Sequence, residues 1–370
     1  MEIPSPPSSR FLTLADGDPR LDELLEGRST DNSTRALLLP SNHEWTFEFV
    51  SRTAIKRPPI LIVWMIALRP DTLVLSIAPI IATLGWLLAW AEAVNREISI
   101  WHAALTIAGI LALHAAVNLF NDYHDHKRGW DRVEGRGGSR VIGRGWLRAL
   151  DVRRAAWAAF SVAVLAAVPV MIANFSAGIL LGLFVLTAAL EFAISRFGLK
   201  YRGFAEIMAW FMFGPLLTGG FTWAMTGQLI VRSFALGGVF GSLALLCLHL
   251  KNFERILIDG RAGLRTWPVR AGFDASKTFT YFCLGLISAS MAFVLVFVDP
   301  VPERVIPALV LAFGVGPLAL RVRGIESPVA GRMRGLHAAG LRLAWMNLIA
   351  FALGDLLRHL PIGLALSLRP

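Results

Sequence analysis

The chain has 370 residues, of which 55% are hydrophobic and only 17% are charged, and its formal net charge is +10. Soluble proteins carry charge on about a quarter of their residues, so the composition excludes an ordinary soluble domain and predicts an integral membrane protein in a lipid bilayer. In a soluble chain this positive charge would suggest nucleic-acid binding. Here the Lys and Arg residues gather in loops between apolar runs, as membrane topology requires, and no nucleic-acid partner is expected.

Residues 1–58 are a polar N-terminal extension, rich in Pro and Ser at first and mixed afterwards. Its start lacks the basic residues and apolar core of a secretory signal peptide. Only RLDELLEG, residues 20–27, has the composition of a short helix. We expect the extension to be cytoplasmic and partly disordered.

Nine apolar runs follow, each long enough to cross about 30 Å of hydrocarbon with roughly 20 residues. They lie at about 60–91 (with a kink near Arg69 and Pro70), 101–121, 154–174, 176–195, 204–225, 229–250, 277–298, 304–321 and 336–358. The predicted fold class is therefore all-α, with about nine transmembrane helices in residues 59–360 and a short C-terminal tail at 361–370.

Basic residues occur in alternate loops. The loops 121–154 and 251–277 hold most of them, and the shorter loops near 196–202 and 321–334 hold several more. The intervening loops contain little beyond Arg96, Arg232 and Arg304. Because Lys and Arg are enriched in cytoplasmic loops, we expect the N-terminus and all the basic loops to face the cytoplasm. Nine spans then place the C-terminus outside.

A polar block, NLFNDYHDHKRGWD at residues 118–131, closes the second apolar run. Asn118, Asp122 and Asp125 are spaced i, i+4, i+7 and share one helix face, with Asn121 beside it. Such oxygen ligands suit Mg²⁺, which proteins bind through one or two carboxylates together with substrate phosphate oxygens. Basic residues that would attract the same anion follow directly: Lys127, Arg128 and Arg132. The alternative is a solvated helix end, but ionisable groups in a membrane span usually face a functional cavity.

A second polar block, LKNFERILIDGRAGLRTWPVRAG, occupies residues 250–272. Asn252, Arg255 and Asp259 are spaced i, i+3, i+7 and share a helix face, whereas Glu254 points elsewhere. Two polar helix ends on the same side of the membrane can close around one diphosphate. The alternative is a basic loop that serves only the topology.

At these residues the chain resembles the UbiA superfamily of intramembrane prenyltransferases, and within it the 1,4-dihydroxy-2-naphthoate polyprenyltransferase branch of menaquinone synthesis. NLFNDYHDHKRGWD, followed by GGSRVI at 137–142, looks like the first Asp-rich motif of that family, and DGRAGLRTWPVRAG at 259–272 matches the end of the second. ALRPDTL at 67–73 and KYRGFAEIMAWFMFGPLLTGG at 200–220 are similar to its first and fifth helices. The resemblance runs from about residue 60 to residue 358.

The resemblance implies a nine-helix bundle with a central cavity capped on the cytoplasmic side, a polyprenyl diphosphate donor, an aromatic acceptor and Mg²⁺ as cofactor. The implied metal ligands are Asp122, Asp125, Asp131 and Asp259. The implied diphosphate-binding residues are Asn118, Asn121, Lys127, Arg128, Arg140, Lys200, Arg202, Asn252, Arg255 and Arg265. The residues expected to take part in catalysis are Asp122, Asp125, Asp259 and Glu206.

One residue departs from the family pattern. The second motif of the family carries an Asp four positions before the one matched by Asp259, and this sequence has Arg255 there. The usual reading of the family is two Mg²⁺ ions, one for each motif, so the number of metals stays open. Arg255 either holds the diphosphate with its planar fork of donors, or pairs with Asp259, or marks a chain that has lost activity.

Within the apolar runs, Glu206 is a carboxylate that requires a functional or structural reason. It either positions or deprotonates the acceptor, or it forms a salt bridge to a neighbouring helix. Aromatic residues of the same run are candidates for stabilising an allylic cation, the alternative being lipid contact or packing: Trp210, Phe211 and Phe213. Histidines near the motifs lack metal-site spacing and are expected to be structural: His114, His124, His126 and His249.

Two other functions remain as alternatives. The same fold can use a different acceptor or a different fate of the cation, such as another phenol, a sugar phosphate or cyclisation. A transporter or lipid-binding protein would place polar residues near the membrane midplane and contain internal repeats. This sequence instead clusters its polar residues at helix ends, and it favours Mg²⁺-dependent transfer of a polyprenyl group to an aromatic quinone precursor. The sequence does not indicate the oligomeric state.

Overall fold

The computed structural model of the chain describes residues 11–28, 33–40, 44–130, 138–173, 189, 203–299, 302–329 and 331–359. Eight helices of this part are long and apolar enough to cross a membrane. Eight of the nine predicted runs therefore correspond to helices. The remaining run, 176–195, lies outside the described residues apart from a single position, and so does the turn predicted at 174–176.

The N-terminal extension contains a small folded unit. Its three antiparallel strands are β1 (Phe11–Leu14), β2 (Thr34–Leu38) and β3 (Trp45–Ser51), with β3 in the centre, and α1 (Pro19–Glu26) follows β1. Asp18 caps α1, and Leu14, Leu25, Trp45 and Phe47 form a separate apolar core. We call residues 11–51 the N-terminal module. The helix was expected at this position, whereas the sheet was not predicted.

The first span is interrupted where the sequence predicts a kink. It consists of α2 (Ile60–Leu68), a 3₁₀ turn (Pro70–Leu73) and α3 (Val74–Ala93). Arg69 joins them with a φ of 53°, in the left-handed region. Proline lacks the amide hydrogen for a helical hydrogen bond and disfavours the helical conformation of the residue before it, so the helix ends at Leu68.

Two long helices form the next hairpin, α4 (Ile100–Lys127) and α5 (Ala149–Ala173). The first polar block occupies the last three turns of α4. The helix α5 begins five residues before the apolar run predicted at 154, because its first turn is polar: Arg148 forms a 2.7 Å ion pair with Asp151. Apolar composition therefore marks the part of the helix in the membrane and omits its polar end.

The following helices are α6 (Ala205–Phe211), a π turn (Met212–Leu216), α7 (Leu217–Thr226) and α8 (Val231–Glu254). Gly214 lies in the π turn before Pro215, and a Cβ there would lie 2.5 Å from the carbonyl oxygen of Gly237 in α8. A Cβ on Gly241 would likewise overlap the backbone of Trp210. The glycines therefore allow the two segments to pack backbone against backbone, and this contact brings α6 close to α8.

Two short helices, α9 (Ile256–Arg261) and α10 (Trp267–Ala271), carry the second polar block away from α8. Three further long helices complete the bundle: α11 (Phe273–Phe293), α12 (Val305–Arg323) and α13 (Leu336–His359). Glu254 accepts hydrogen bonds from the amides of Gly335 and His337, at 2.8 and 3.0 Å, and so caps the start of α13. This confirms the expectation that Glu254 points away from its polar neighbours.

At the end of the bundle opposite to the two polar blocks, the structure buries a charge cluster. The guanidinium of Arg304 is fully buried and lies 2.7 Å from Asp299 and 2.6 Å from Asp355. Gly85 of α3 faces this cluster, and a Cβ there would overlap the Asp355 carboxylate. The cluster therefore links α13 to the segment before α12, and Gly85 makes the space for it.

Candidate active site

A polar cavity lies where the two polar blocks meet. Its polar and charged lining comes from the kink of the first span, from α4, from the end of α8 and from the short segments that follow it: Arg69, Thr72, His114, Asn118, Asn121, Asp125, Lys251, Asn252, Arg255, Asp259, Thr266 and His337. The structure therefore brings the first and second blocks to one space, as the sequence predicted.

The residues predicted on one face of α4 divide into two layers. Asn118, Asn121 and Asp125 line the cavity. Asp122 lies behind them, where its carboxylate accepts hydrogen bonds from the Arg69 guanidinium and from the hydroxyl of Ser139. The amide of Ser139 also lies 3.3 Å from this carboxylate. In this structure Asp122 therefore holds Arg69 and the 138–139 loop in place, with its oxygens already engaged.

Glycine is required where this loop crosses the site. Gly138 lines the cavity, and a Cβ at this position would overlap both the Arg69 guanidinium and the Asp122 carboxylate. Any larger residue would separate the ion pair from the loop. Gly138 therefore allows the loop to approach α4 closely.

Two carboxamides present their oxygens to the cavity because their amino groups are occupied elsewhere. The side-chain amide of Asn118 donates to the carbonyl of Leu68, at 3.0 Å, and to the Thr72 hydroxyl, at 3.2 Å. The amide of Asn252 donates to Glu206 Oε1 at 2.8 Å. Both amide groups thereby orient their Oδ1 atoms away from these partners, as oxygen ligands for a cation.

Glu206 is 2% exposed and lies behind Asn252, outside the cavity lining. Its partner on the neighbouring helix is the Asn252 amide, and among the described residues no Lys or Arg forms a salt bridge with it. Its Oε2 atom is buried and has no hydrogen-bond partner within the part of the chain that the structure describes. In that part, the contact of Glu206 with a neighbouring helix is a hydrogen bond rather than the salt bridge that stands as the alternative.

Several residues predicted to bind the diphosphate lie outside the cavity. Lys127 forms a 2.6 Å ion pair with Asp22 of α1. The expectation for Lys127 did not account for helix geometry: this residue is nine positions after Asn118 and hence on the opposite face of α4. The guanidinium carbon of Arg128 lies 5.0 Å from the centroid of the Trp130 ring. Arg140 and Arg265 are exposed and do not line the cavity. Asp131, Lys200 and Arg202 lie outside the described residues.

Three basic or titratable residues of the lining were not predicted. Arg69 had a signal, since it is a charged residue inside an apolar run beside a proline. Lys251 directly precedes Asn252, and His337 comes from the start of α13 with no pattern to mark it. In the described lining, Arg69, Lys251 and Arg255 offer cationic donors to an anionic ligand, and Arg69 is at the same time paired with Asp122.

An apolar cavity adjoins the polar one, and His114, Val117 and Phe213 line both. Its other walls come from α4, α5, the π turn and α7, and include Leu113, Ala163, Val170, Leu217 and Phe221. A ligand whose anionic head group lies in the polar cavity can therefore place a long apolar chain along this apolar lining. This pairing of cavities suits an amphiphile.

The three candidate aromatic residues lie in different places relative to the cavities. Phe213 lies at the junction of the two cavities. Phe211 is 41% exposed on the outer surface, and the Trp210 indole donates a 3.3 Å hydrogen bond to Ser242 of α8. Only Phe213 among the three is thus placed next to a ligand that occupies both cavities.

The histidines expected to be structural also differ in position. The His249 ring nitrogen lies 2.9 Å from the carbonyl of Ser276, and that of His126 lies 3.1 Å from the carbonyl of Leu25. His124 packs against the ring of Tyr123. His114 lies at the junction of the cavities and is held by the Ser76 hydroxyl, 2.7 Å away. Of the four, His114 therefore contacts the site.

The oxygen atoms of the cavity fit Mg²⁺ if a bound ligand supplies the rest of its coordination shell. Among the residues that the structure describes, no group of three or more His, Cys, Asp or Glu converges on one point. The cavity instead offers two separate carboxylates, Asp125 and Asp259, with amide oxygens beside them. Mg²⁺ commonly takes one or two carboxylates and completes its shell with water and phosphate oxygens, so these residues fit an ion that arrives with a diphosphate.

Comparison with known proteins yields one family and several relatives. The profile described as the UbiA prenyltransferase family matches residues 78–349. The chain is 30% identical over 296 residues to 1,4-dihydroxy-2-naphthoate octaprenyltransferase of Mycobacterium tuberculosis, covering 78% of this chain and 96% of that protein. Identity to the protein of the same name from Escherichia coli is 28% over 216 residues, covering 56% of this chain and 68% of the relative.

Solved structures with the same fold include a UbiA homolog from Aeropyrum pernix K1 without ligand, with a TM-score of 0.59 at 18% identity, covering 77% of this chain and 98% of the other. Another is a UbiA homolog from Archaeoglobus fulgidus bound to GPP and Mg²⁺, with a TM-score of 0.54 at 13% identity, covering 78% and 99%. At these identities the similarity shows the fold, and it confirms the predicted helical membrane bundle.

Proposed function

Because the chain belongs to the UbiA prenyltransferase family, we propose that it transfers a polyprenyl group from a polyprenyl diphosphate to 1,4-dihydroxy-2-naphthoate, in menaquinone biosynthesis. The observation that carries the proposal is the pair of cavities. One is lined by cations and carboxylates, and the other is apolar and continues from it. A polyprenyl diphosphate has the same two parts in the same order.

The diphosphate occupies the polar cavity, held by Arg69, Lys251 and Arg255. When the bond between the allylic carbon and the diphosphate oxygen breaks, negative charge grows on the leaving group. Preorganised cations stabilise that charge without having to reorient. Asp122 contributes by holding Arg69, whose guanidinium it binds. Arg255 thus takes the first of the roles left open for it, as a diphosphate ligand.

Asp125 and Asp259 would hold Mg²⁺, with the oxygens of Asn118, Asn121 and Asn252 beside them. The ion would neutralise further charge on the leaving diphosphate. With Arg255 in the second motif, the described lining presents one carboxylate from each block, and these two residues would hold the ion. Asp122, whose oxygens bind Arg69 and Ser139, is then not needed as a direct ligand.

The allylic cation forms where the polar and apolar cavities meet. The ring of Phe213 lies at this junction, and an aromatic face stabilises a nearby cation. The electron-rich ring of the acceptor attacks the cation there, forms the new carbon–carbon bond and loses its carboxyl group as CO₂. Glu206 acts through Asn252, whose amide it orients.

The polar cavity and the N-terminal module face the cytoplasm in this proposal, because the basic loops surround that end of the bundle. Both the naphthoate acceptor and the diphosphate head are water-compatible groups, which suits entry from that side. With nine spans, the C-terminus lies on the opposite side of the membrane.

The test is a product assay with purified protein in detergent, supplied with Mg²⁺, a long-chain polyprenyl diphosphate and 1,4-dihydroxy-2-naphthoate, and read by mass spectrometry. We expect a prenylated, decarboxylated naphthol that disappears with EDTA. Asp125→Asn should abolish it, whereas Asp274→Asn is a matched control because Asp274 is exposed at the start of α11 and outside the cavity. Free diphosphate with unmodified acceptor would indicate another acceptor, and no turnover would refute the proposal.

A further inference from the structure

The N-terminal module lies outside the part of the chain that matches the family, which begins at residue 78. It is nevertheless in direct contact with the membrane domain. Two separate sets of contacts connect it to the first polar block, one made by α1 and one made by the sheet.

The first route runs from the end of α1 to the end of α4. Glu26 Oε1 accepts hydrogen bonds from the Tyr123 hydroxyl, at 3.3 Å, and from Arg153 of α5, at 3.0 Å. Arg153 also donates to the Tyr123 hydroxyl at 3.1 Å, which closes a three-membered network. The carbonyl of Leu25 lies 3.1 Å from the ring of His126. Tyr123 and His126 bracket the segment that contains Asp125.

The second route runs from the sheet to the loop after the first motif. Leu37 of β2 packs on Gly145, where a Cβ would lie 2.6 Å from the leucine methyl, and Gly145 has a φ of 71°. In the segment between the module and α2, the carbonyl of Lys56 accepts a 3.1 Å hydrogen bond from the indole of Trp146, next to Gly145. Ser139, in the same loop, binds the Asp122 carboxylate. The module therefore supports both the helix end and the loop that hold this motif.

We propose that the N-terminal module positions Asp122 and Asp125 of the first polar block, and that Glu26 is the residue through which it acts. The proposal rests on the proposed function, since it concerns the site for Mg²⁺ and diphosphate. The Glu26 side chain is only 12% exposed and connects α1, α4 and α5 at one point. Hydrogen bonds to a partly buried charged group are stronger than exposed ones, so its removal loosens the end of α4.

The decisive variant is Glu26→Gln in the full-length protein, because glutamine keeps the size and loses the charge that binds Arg153. Tyr123→Phe removes the same hydrogen bond from the other side and keeps the buried ring. Asp22→Asn is the matched control: Asp22 binds Lys127 of α4 but is 83% exposed, and such surface pairs contribute little.

The measurement is thermal stabilisation of each protein by Mg²⁺ with inorganic diphosphate, titrated in the absence of acceptor. A ligand that binds only the folded state stabilises it by RT ln(1 + [L]/Kd), so the dependence of the melting temperature on Mg²⁺ concentration gives an apparent Kd. We expect the apparent Kd for Mg²⁺ to rise about three- to tenfold in Glu26→Gln, in the range of one lost hydrogen bond. Tyr123→Phe should shift it in the same direction, and Asp22→Asn should leave it within about twofold of the wild type.

A lower melting temperature of Glu26→Gln and Tyr123→Phe with an unchanged Mg²⁺ titration would overturn the inference and reduce the module to a scaffold. Because no acceptor is present, the titration is independent of which acceptor the enzyme uses. An error in the acceptor therefore appears only in the product assay. A wild-type protein that Mg²⁺ and diphosphate do not stabilise would refute both proposals together.

Discussion

Replacing Glu206 by alanine should lower kcat/KM without removing any group that lines the cavity. Glu206 is 2% exposed and accepts the hydrogen bond that orients the Asn252 amide, at 2.8 Å. Without it, the buried amide donor has no partner at this position, and the amide is free to rotate its nitrogen towards the cavity. The amide nitrogen of Asn252 would then face the cation site, which needs an oxygen ligand.

The size of the effect follows from the lost contact. To present its oxygen to the ligand, the rotated Asn252 amide must turn back and leave its buried donor unsatisfied, which costs about 1 to 3 kcal/mol. Each 1.36 kcal/mol corresponds to a factor of ten in rate. Glu206→Ala should therefore lower kcat/KM by about 5- to 150-fold. Glu206→Gln should stay within about threefold of the wild type, because the glutamine carbonyl oxygen can accept the same hydrogen bond.

The assay is the initial rate of prenyl transfer over a range of diphosphate concentrations, with Asp274→Asn as the control. Asp274 is exposed at the start of α11 and lies outside the cavity, so its substitution should spare kcat/KM. A Glu206→Gln enzyme as poor as Glu206→Ala would refute the reasoning. It would mean that the carboxylate itself takes the proton of the acceptor.

Arg255→Asp, which restores the family residue, should raise the KM for the diphosphate at low Mg²⁺, and the KM should return towards the wild-type value as the Mg²⁺ concentration increases. A dependence on Mg²⁺ identical to that of the wild type would show that the guanidinium does not take the place of an ion. Phe213→Ala should lower kcat because the ring lies at the junction of the cavities, whereas Phe211→Ala, on the exposed surface, should not; equal rates would remove the aromatic ring from the mechanism. Gly85→Ala overpacks the buried charge cluster and should cost about 1 to 3 kcal/mol of stability, seen as a lower melting temperature. Gly285→Ala, where a Cβ meets nothing within 4 Å, is its control and should not lower it.

The positions of the helices and of most cavity residues could be predicted because they depend on local periodicity. Apolar runs of sufficient length specify spans, and Pro70 marks the kink in the first of them. The helical spacing of Asn118 and Asp125 correctly indicates that both face the cavity. Asn252 and Asp259 also line it, but they lie on two helices, because α8 ends at Glu254 and α9 begins at Ile256. These inferences need no knowledge of which helices are neighbours.

The remaining features depend on contacts between distant segments, which no local pattern reports. Asp122 shares the face of Asp125, yet Arg69 and Ser139 approach it from elsewhere in the chain and engage its oxygens. His337 reaches the cavity only because α13 starts beside the end of α8.

The N-terminal module was missed for a related reason. Its strands have four, five and seven residues, too short for a clear signal, although the buried Trp45 and Phe47 do alternate with less buried neighbours along β3. The sheet depends on pairing among all three strands, and that pairing is a property of the folded unit.

The glycine contact between the π turn and α8 has a consequence for how such an enzyme can diverge. A side chain at 214 would collide with the backbone of α8 at Gly237 and Gly241, so the contact that holds the π turn against this helix requires glycine. Gly220, further along the same segment, lines the apolar cavity, and a Cβ there would meet nothing within 4 Å. A larger residue at 220 shortens the space for the prenyl tail while the charged end keeps its shape. The length of the prenyl chain can therefore change in evolution without a change in the residues that carry out the reaction.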